Sequence, residues 1–404
     1  MKRANGGKRY NGAMHNDLSA LDAARLLGVS LPTLYSYVSR GLLASASNGA
    51  SRRKRYPREE VLRLAARKND AKRGGQAATA AMHWGLPVLE TRISQILDGR
   101  LLYRGCDATA LAASATLEAA ASLLWDDGAG DYFRQDAPVQ QQELVRAPDA
   151  PPLARAMLAM AMLTPADGPH SLQSGPALMR LLAAALLQTA PSALPLHLQL
   201  AQAWQADAQQ TDLLRAALVL LADHELNTST FAVRCVASTG ASLPAALGAG
   251  LAALSGDKHG GGSAAARRML TQALAAPDAR DARAAIGKYY AAIAPEFAGF
   301  GHPLYPGGDP RAAYLLGILS TMGHPQLDAI LAVCATAGEL LDARPNADLA
   351  LAAMELAFDW PAGAGMSVFA LARSAGWIAH ATEQAASAAL IRPRARYIGR
   401  HRRD

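Results

Sequence analysis

Cysteine, aromatic residues and long apolar runs are all scarce in this chain. The three cysteines, Cys106, Cys235 and Cys334, lie far apart, with no CxxC pair and no metal-ligand spacing. That excludes a disulfide scaffold and a thiolate metal site, and makes a reduced, cytoplasmic protein the simplest reading. Aromatic residues make up 5% of the chain, and alanine and leucine dominate, which is the makeup of packed helices rather than of β-sandwiches. No apolar stretch reaches the ~18 residues that a bilayer-spanning helix needs without a charge or proline. The most apolar segments, 213–222 and 243–254, are short and read as buried helices. The N-terminus is basic but lacks the apolar stretch of a secretory signal. What remains is 404 residues, 51% hydrophobic and 18% charged, which excludes a disordered chain and leaves material for two or more domains.

Charge is unevenly spread. Residues 1–75 carry 16 Lys+Arg against 5 Asp+Glu, whereas the rest carries 24 against 28, so a basic front end precedes a mildly acidic body. That division suggests two partners of different kinds. A cationic tail without a specific target is the plainer alternative.

The front end is densely punctuated. Ser19 to Asp22 fits a capping box, with Leu18 before it, and the helix that follows stops at Gly28. Ser30 caps a second helix, with Pro32 in its first turn and Gly41 just past its end. Small polar residues, then Ser51-Arg52-Arg53-Lys54-Arg55-Tyr56, lead to a third helix opened by Pro57. This order resembles the winged helix-turn-helix of MerR-type and excisionase-type DNA-binding domains. The resemblance implies that Thr33, Tyr35, Ser36, Tyr37 and Arg40 face DNA and that Arg52, Arg53, Lys54 and Arg55 form a wing along the phosphates. Adjacent cations bind phosphate by releasing counterions and carry little sequence information. A solvated basic surface on a protein-interaction domain is the competing reading. Residues 66–82 read as a linker broken by Gly74-Gly75.

From residue 83 onward the pattern is helical, with stretches such as 176–188, 211–222 and 367–389 between Pro- and Gly-containing turns, and the expected class is all-α. Polar residues gather in a few places: the segment 222–230 around His224, the Gly-rich 254–263 around His259, and 299–311 with His302, Asp309 and Arg311. Two more are 345–348 with Asp348 and the last helix with Arg373, followed by Arg392-Pro393-Arg394. Each has a structural explanation alone. Together, histidines in glycine loops, one isolated aspartate and arginines in apolar helical sequence point to a site for a small polycarboxylate. Glycine lets backbone approach a ligand, and arginine pairs carboxylate with two bonds. No HExxH, GxSxG, Walker or Rossmann pattern occurs.

These segments, with Asp98–Gly105 before them and 372–380 near the end, resemble the citrate synthase family in the family's own order across residues ~85–404. The resemblance implies a helical homodimer in which a small domain (262–360) closes over a large one (76–261 plus 361–404), behind the winged helix-turn-helix of 1–75. It implies that Asp348 is the base toward the methyl of acetyl-CoA, that His259 donates to the thioester oxygen, and that His302 polarises the keto group of oxaloacetate. His224, Arg311 and Arg373, with Arg392 of the second subunit, would hold its carboxylates. No metal and no resident cofactor is implied, since the acyl-CoA is a substrate. A histidine just before a helix is expected to have its pKa lowered and stay a neutral donor.

The chain departs from the family in places. It reads His259-Gly260-Gly261-Gly262-Ser263 where His-Gly-Gly-Ala-Asn is usual, has Pro303 after the second histidine where a basic residue is common, and Asp257-Lys258 where Gly-Pro is usual. Two functions stay open at this point. One is an enzyme forming citrate from acetyl-CoA and oxaloacetate, or 2-methylcitrate from propionyl-CoA. The other is a DNA-binding regulator that uses the synthase fold to sense a carboxylate or an acyl-CoA. The Asp348 carboxyl favours the enzyme, and the winged helix and altered loops favour the regulator.

Overall fold

The structure is a computed structural model, and it describes residues 17–27, 29, 31–39, 43, 45–47, 54–58, 61, 89–126, 132–133, 149–163, 172–387, 389–395 and 397–399. The chain divides into two compact units, Met1–Glu90 and Thr91–Asp404.

In the first unit, β1 (Asp17–Ser19) leads into α1 (Ala20–Leu27) and α2 (Leu31–Ser39), followed by β2 (Ala46–Ser47) and β3 (Lys54–Pro57). Ser19 starts α1 as the sequence suggests: its Oγ accepts from the Asp22 amide at 3.2 Å and donates to the Asp22 carboxylate at 2.6 Å. β3 is the centre of an antiparallel sheet of order β1-β3-β2, with Leu18 opposite Tyr56 and Ser47 opposite Lys54. Ala23, Ala24, Leu27, Leu34, Leu43, Tyr56 and Val61 close a small core of this unit's own. The linker expected at 66–82 lies outside the described residues.

The second unit opens with something an all-helical reading lacks. β4 (Ser94–Leu97), β5 (Arg100–Tyr103) and β6 (Cys106–Asp107) form an antiparallel meander with Ser94 opposite Tyr103. Asp98 and Gly99 turn the first hairpin at φ 51° and 74°, and Arg104 and Gly105 the second at 44° and 86°. Positive φ at both central residues is the geometry that matches strand twist, and an Asp-Gly pair adopts it readily.

Helices make up the rest. In order they are α3 (Ala108–Ala112), α4 (Leu117–Trp125), α5 (Pro152–Ala161), α6 (Gly175–Leu187), α7 (Leu196–Trp204), α8 (Ala208–Leu220), α9 (Thr228–Ala237) and α10 (Leu243–Leu254). They continue with α11 (Gly262–Leu274), α12 (Ala279–Tyr290), α13 (Pro310–Leu319), α14 (Pro325–Leu341), α15 (Ala347–Ala357) and α16 (Ala364–Ser387). The segments read as 176–188 and 243–254 are thus α6 and α10. α6 and α16 are apolar on nearly every side and lie inside the unit. α16 is its axis: Trp125 donates from its indole to the Ala375 carbonyl at 2.9 Å, and Trp377 is fully buried. Among the described residues no helix is long and apolar enough to cross a membrane. The three cysteines are free, Cys106 exposed and Cys334 buried.

Candidate active site

Helix starts place most of the candidate residues. Asn227 caps α9 by accepting from the Thr230 amide at 3.0 Å, which puts His224 in the turn just before the helix and Ser229 in its first turn. Asp309 caps α13, with Pro310 fixing the first helical residue, and so sets Arg311 at the helix start. Asn346 caps α15 and accepts from the Asp348 amide at 3.0 Å. The same Asn346 donates from Nδ2 to the Gly301 carbonyl at 3.1 Å and from its amide to the Gly299 carbonyl at 2.9 Å. One residue therefore fastens the His302 loop to the Asp348 helix.

Around His302 three other groups converge. His224 and His302 meet edge to face with ring centroids 5.0 Å apart, and His224 Nε2 lies 2.9 Å from the Tyr305 hydroxyl. The Tyr305 ring lies 4.9 Å from that of His302 and 5.5 Å from the Arg311 guanidinium carbon. The Leu304 amide donates to His302 Nδ1 at 3.2 Å, so the ring proton of His302 sits on Nε2.

His259 lies three residues ahead of α11. Its Nε2 is 2.8 Å from the Ser229 hydroxyl, and that hydroxyl accepts from the Trp377 indole at 3.3 Å. Ser229 Oγ is itself 2.9 Å from Asn227 Oδ1. The Asp348 carboxylate rests on the backbone of Gly262, where a Cβ would stand 2.5 Å from Oδ2 and 2.7 Å from Cγ. The departure from His-Gly-Gly-Ala thus has a structural consequence: with no Cβ at residue 262 the Asp348 carboxylate lies directly against the backbone, and a Cβ there would make it shift.

The two arginines are satisfied differently. Arg311 brings its own anion, donating from Nε and Nη2 to the two Asp309 oxygens at 2.9 and 2.8 Å, with Nη1 outside that pair. Burial works against its charge, but Asp309 outweighs burial and holds the guanidinium above its ordinary pKa. Arg373, 1% exposed, donates from Nε to the Leu221 carbonyl at 2.9 Å, while Nη1 is buried with no partner. Burial lowers it to about 10 against the pull of Asp223, so it stays a cation at neutral pH.

All three histidines are kept neutral. Burial, then Arg373, pushes His259 down to about 4. Burial, then Arg311, does the same to His302, also to about 4. Burial and the neighbouring cations hold His224 well below 6.5. The helix start named from sequence is not the leading cause for His259; burial is. Asp348 moves the opposite way, raised by burial to about 7 against the pull of Arg311.

Sequence reasoning passed over several members of this site. Tyr305 and Asp309 were in the quoted segment, and the Asp-Pro-Arg spacing was the available signal for the Asp309–Arg311 pair. Ser229 carried no signal, since its role depends on a loop 30 residues away. Arg392 is exposed on the extended segment after α16, outside this cluster. In the first unit Tyr35 and Lys54 are exposed, Thr33 is half-buried, and Tyr37 packs against the core. Arg40, Arg52 and Arg53 fall outside the described residues, as do the side chains of Ser36 and Arg55. No group of three His, Cys, Asp or Glu that could hold a metal occurs among the described residues.

Comparison with known proteins identifies the family and the fold. The family description "Citrate synthase, C-terminal domain" matches residues 81–394, and "Helix-turn-helix domain" matches 18–69. A putative citrate synthase 2 of Mycobacterium tuberculosis is 36% identical over 205 residues, which is 48% of this chain and 54% of the relative. A 2-methylcitrate synthase of Shewanella oneidensis is 31% identical over 197 residues, 48% of this chain and 52% of the relative. The alignments thus span about half the length of these relatives. Among solved structures, a citrate synthase from Thermotoga maritima superposes with TM-score 0.66 at 22% identity, covering 79% of this chain and 96% of that one. A Thermoplasma acidophilum citrate synthase, in a ternary complex with carboxymethyl coenzyme A and oxaloacetate, gives TM-score 0.63 at 23% identity over 79% and 96%. At such identities the likeness speaks for the fold. The family match covers most of the chain, and the chain belongs to the citrate synthase family, with a helix-turn-helix domain ahead of the synthase body.

Proposed function

We propose that the body condenses an acyl-CoA thioester with oxaloacetate, and that the front unit binds DNA. The observation that carries the first part is the buried Asp348 carboxyl, seated against Gly262 three residues past neutral His259 and raised to about 7 against the pull of Arg311 and Arg373. Such a group can take a proton at neutral pH, and ligand binding alone has no use for it.

Asp348 removes a proton from the carbon beside the thioester, and His259 donates to the thioester oxygen as the enol forms. For that donation His259 carries its proton on Nδ1, so Ser229 donates to Nε2 and turns from Asn227, whose Oδ1 keeps the Thr230 amide 3.0 Å away. His302 presents its Nε2 proton to the keto oxygen of oxaloacetate. The enol carbon then bonds to the keto carbon, whose oxygen becomes the new hydroxyl. Water hydrolyses the resulting CoA thioester to citrate and free CoA. His224, Arg311 and Arg373 hold the carboxylates, with Arg392 supplied by a second copy in a homodimer. Closure of residues 262–360 over 76–261 and 361–404 keeps water out until the carbon–carbon bond exists. No resident cofactor takes part.

The test is oxaloacetate-dependent loss of thioester absorbance with acetyl-CoA, then with propionyl-CoA. Exposed Cys106 would react with a thiol reagent, so absorbance is the cleaner readout. Consumption is expected, and the preferred donor tells citrate from 2-methylcitrate formation. No consumption, with oxaloacetate still raising the melting temperature, would move the body to the sensing role.

DNA binding rests on the helix-turn-helix of α1 and α2, its three-stranded sheet with exposed Lys54, and the cationic balance of residues 1–75. Deleting residues 1–75 should abolish retention of labelled duplex in a mobility-shift assay while the body keeps its dimeric size by light scattering. A truncated chain that dissociates would show that the front unit serves assembly.

A further inference from the structure

We infer that His380, through Asp223, is a positioning residue that fixes the His224 turn and thereby the pocket for oxaloacetate; this rests on the reading of His224 as a carboxylate ligand. Helix α16 meets the segment before His224 at three successive residues. Arg373 Nε donates to the Leu221 carbonyl at 2.9 Å, the Gly376 amide to the Ala222 carbonyl at 3.0 Å, and His380 Nε2 lies 3.3 Å from Asp223 Oδ2. The Gly376 amide is a mid-helix donor turned out to another segment. One helix face thus reads residues 221, 222 and 223 in register, and the next residue is His224.

The first hairpin holds the same turn from the other side. Ser94 donates to Asp223 Oδ2 and accepts from the Glu225 amide at 3.1 Å, and the Ile96 amide donates to the Glu225 carboxylate. The Tyr103 hydroxyl accepts from the Asp223 amide at 3.3 Å and points its one proton at the Val219 and Leu220 carbonyls, each 3.0 Å away. Glu225 takes φ 50°, so the chain leaves the turn through a left-handed residue. His224 is gripped between these contacts, with its Nε2 2.9 Å from the Tyr305 hydroxyl and its ring edge to face with His302.

Stability alone does not call for this pair. Asp223 and His380 are both 0% exposed, and Asp223 Oδ1 and His380 Nδ1 have no partner. Two well-packed apolar residues would hold a helix to a turn at no such desolvation cost. What a bonded carboxylate adds is direction, at the residue adjoining His224.

The experiment compares His380→Gln, which keeps a donor near the place of Nε2, with His380→Leu, which has none. For the leucine variant the KM for oxaloacetate should rise on the order of tenfold, the size of losing a hydrogen bond to a charged group. The KM for acyl-CoA and kcat should stay near wild type, and the glutamine variant should recover most of the loss. The His224 ring signals in the NMR spectrum of histidine-labelled protein, assigned with His224→Gln, should move in the leucine variant and return in the glutamine variant. If the leucine variant does not fold, Asp223→Asn carries the same NMR expectation. Unmoved His224 signals, or kcat and both KM values changing alike, would overturn the inference. If wild type consumes no thioester, the proposed function fails, while the NMR comparison still decides whether His380 positions His224.

Discussion

Replacing Asp348 by Asn should lower turnover on the order of a thousandfold, within the range a positioned general base contributes. Oxaloacetate binding, read as a rise in melting temperature, should be nearly unchanged. The amide fits the seat on Gly262 and keeps its backbone bond to Asn346, but it cannot accept a proton from carbon. A variant with full activity would remove Asp348 as the base. In wild type, kcat/KM should fall on the acid side with a midpoint near 7, because burial holds the carboxyl at about 7 and only the anion is a base.

Stability should change with pH in the opposite sense. Between the ordinary value of 3.8 and about 7, folded Asp348 keeps a proton that the unfolded chain has released. The folded state binds more protons there, so wild type loses stability as pH rises through that window. The Asp348→Asn protein has no such group. Its melting temperature should gain on that of wild type across the window and level off above it.

The site and the fold were legible to different depths in the sequence. Histidine, aspartate and arginine stand out against alanine- and leucine-rich helices, and helix starts are marked by Ser, Asn and Asp, so residue types and their helices could be read locally. The α6 bounds, Gly175–Leu187, lie within one residue of the expected 176–188. Two things were not local. The β4–β5 hairpin has four-residue strands, too short for a period to show, although Asp98-Gly99 marked its turn. The partners that tune each group come from far along the chain: Tyr305 lies 81 residues from His224, and His380 lies 157 from Asp223. Electrostatics followed the same division. That His259 is neutral was expected from its place before a helix, but the cause there and at His224 and His302 is burial, which only packing decides. Arg311 was read as a cation awaiting a substrate anion, whereas Asp309 already pairs with two of its nitrogens.

Gly376→Ala tests the packing that the whole site depends on. In the middle of α16 an alanine is intrinsically better than glycine by about 1 kcal/mol, so propensity alone predicts a more stable protein. Packing predicts the reverse. A Cβ at residue 376 would overlap Asp223 Oδ1 and stand 2.7 Å from the Ala222 carbonyl oxygen, neither of which is the free end of a long side chain. To admit it, α16 must move off the 221–223 segment, which breaks the Gly376 to Ala222 bond and loosens the Arg373 and His380 contacts. Overpacking of a close-packed core together with lost buried bonds should cost about 3 kcal/mol or more. The melting temperature should fall by several degrees, and oxaloacetate affinity should fall with it, because His224 and Arg373 both move. Gly317→Ala, in α13, is the control: nothing lies within 4 Å of a Cβ there, so the substitution should be neutral or stabilising by propensity alone. A Gly376→Ala protein as stable as the Gly317→Ala one would mean that α16 does not clamp the His224 turn.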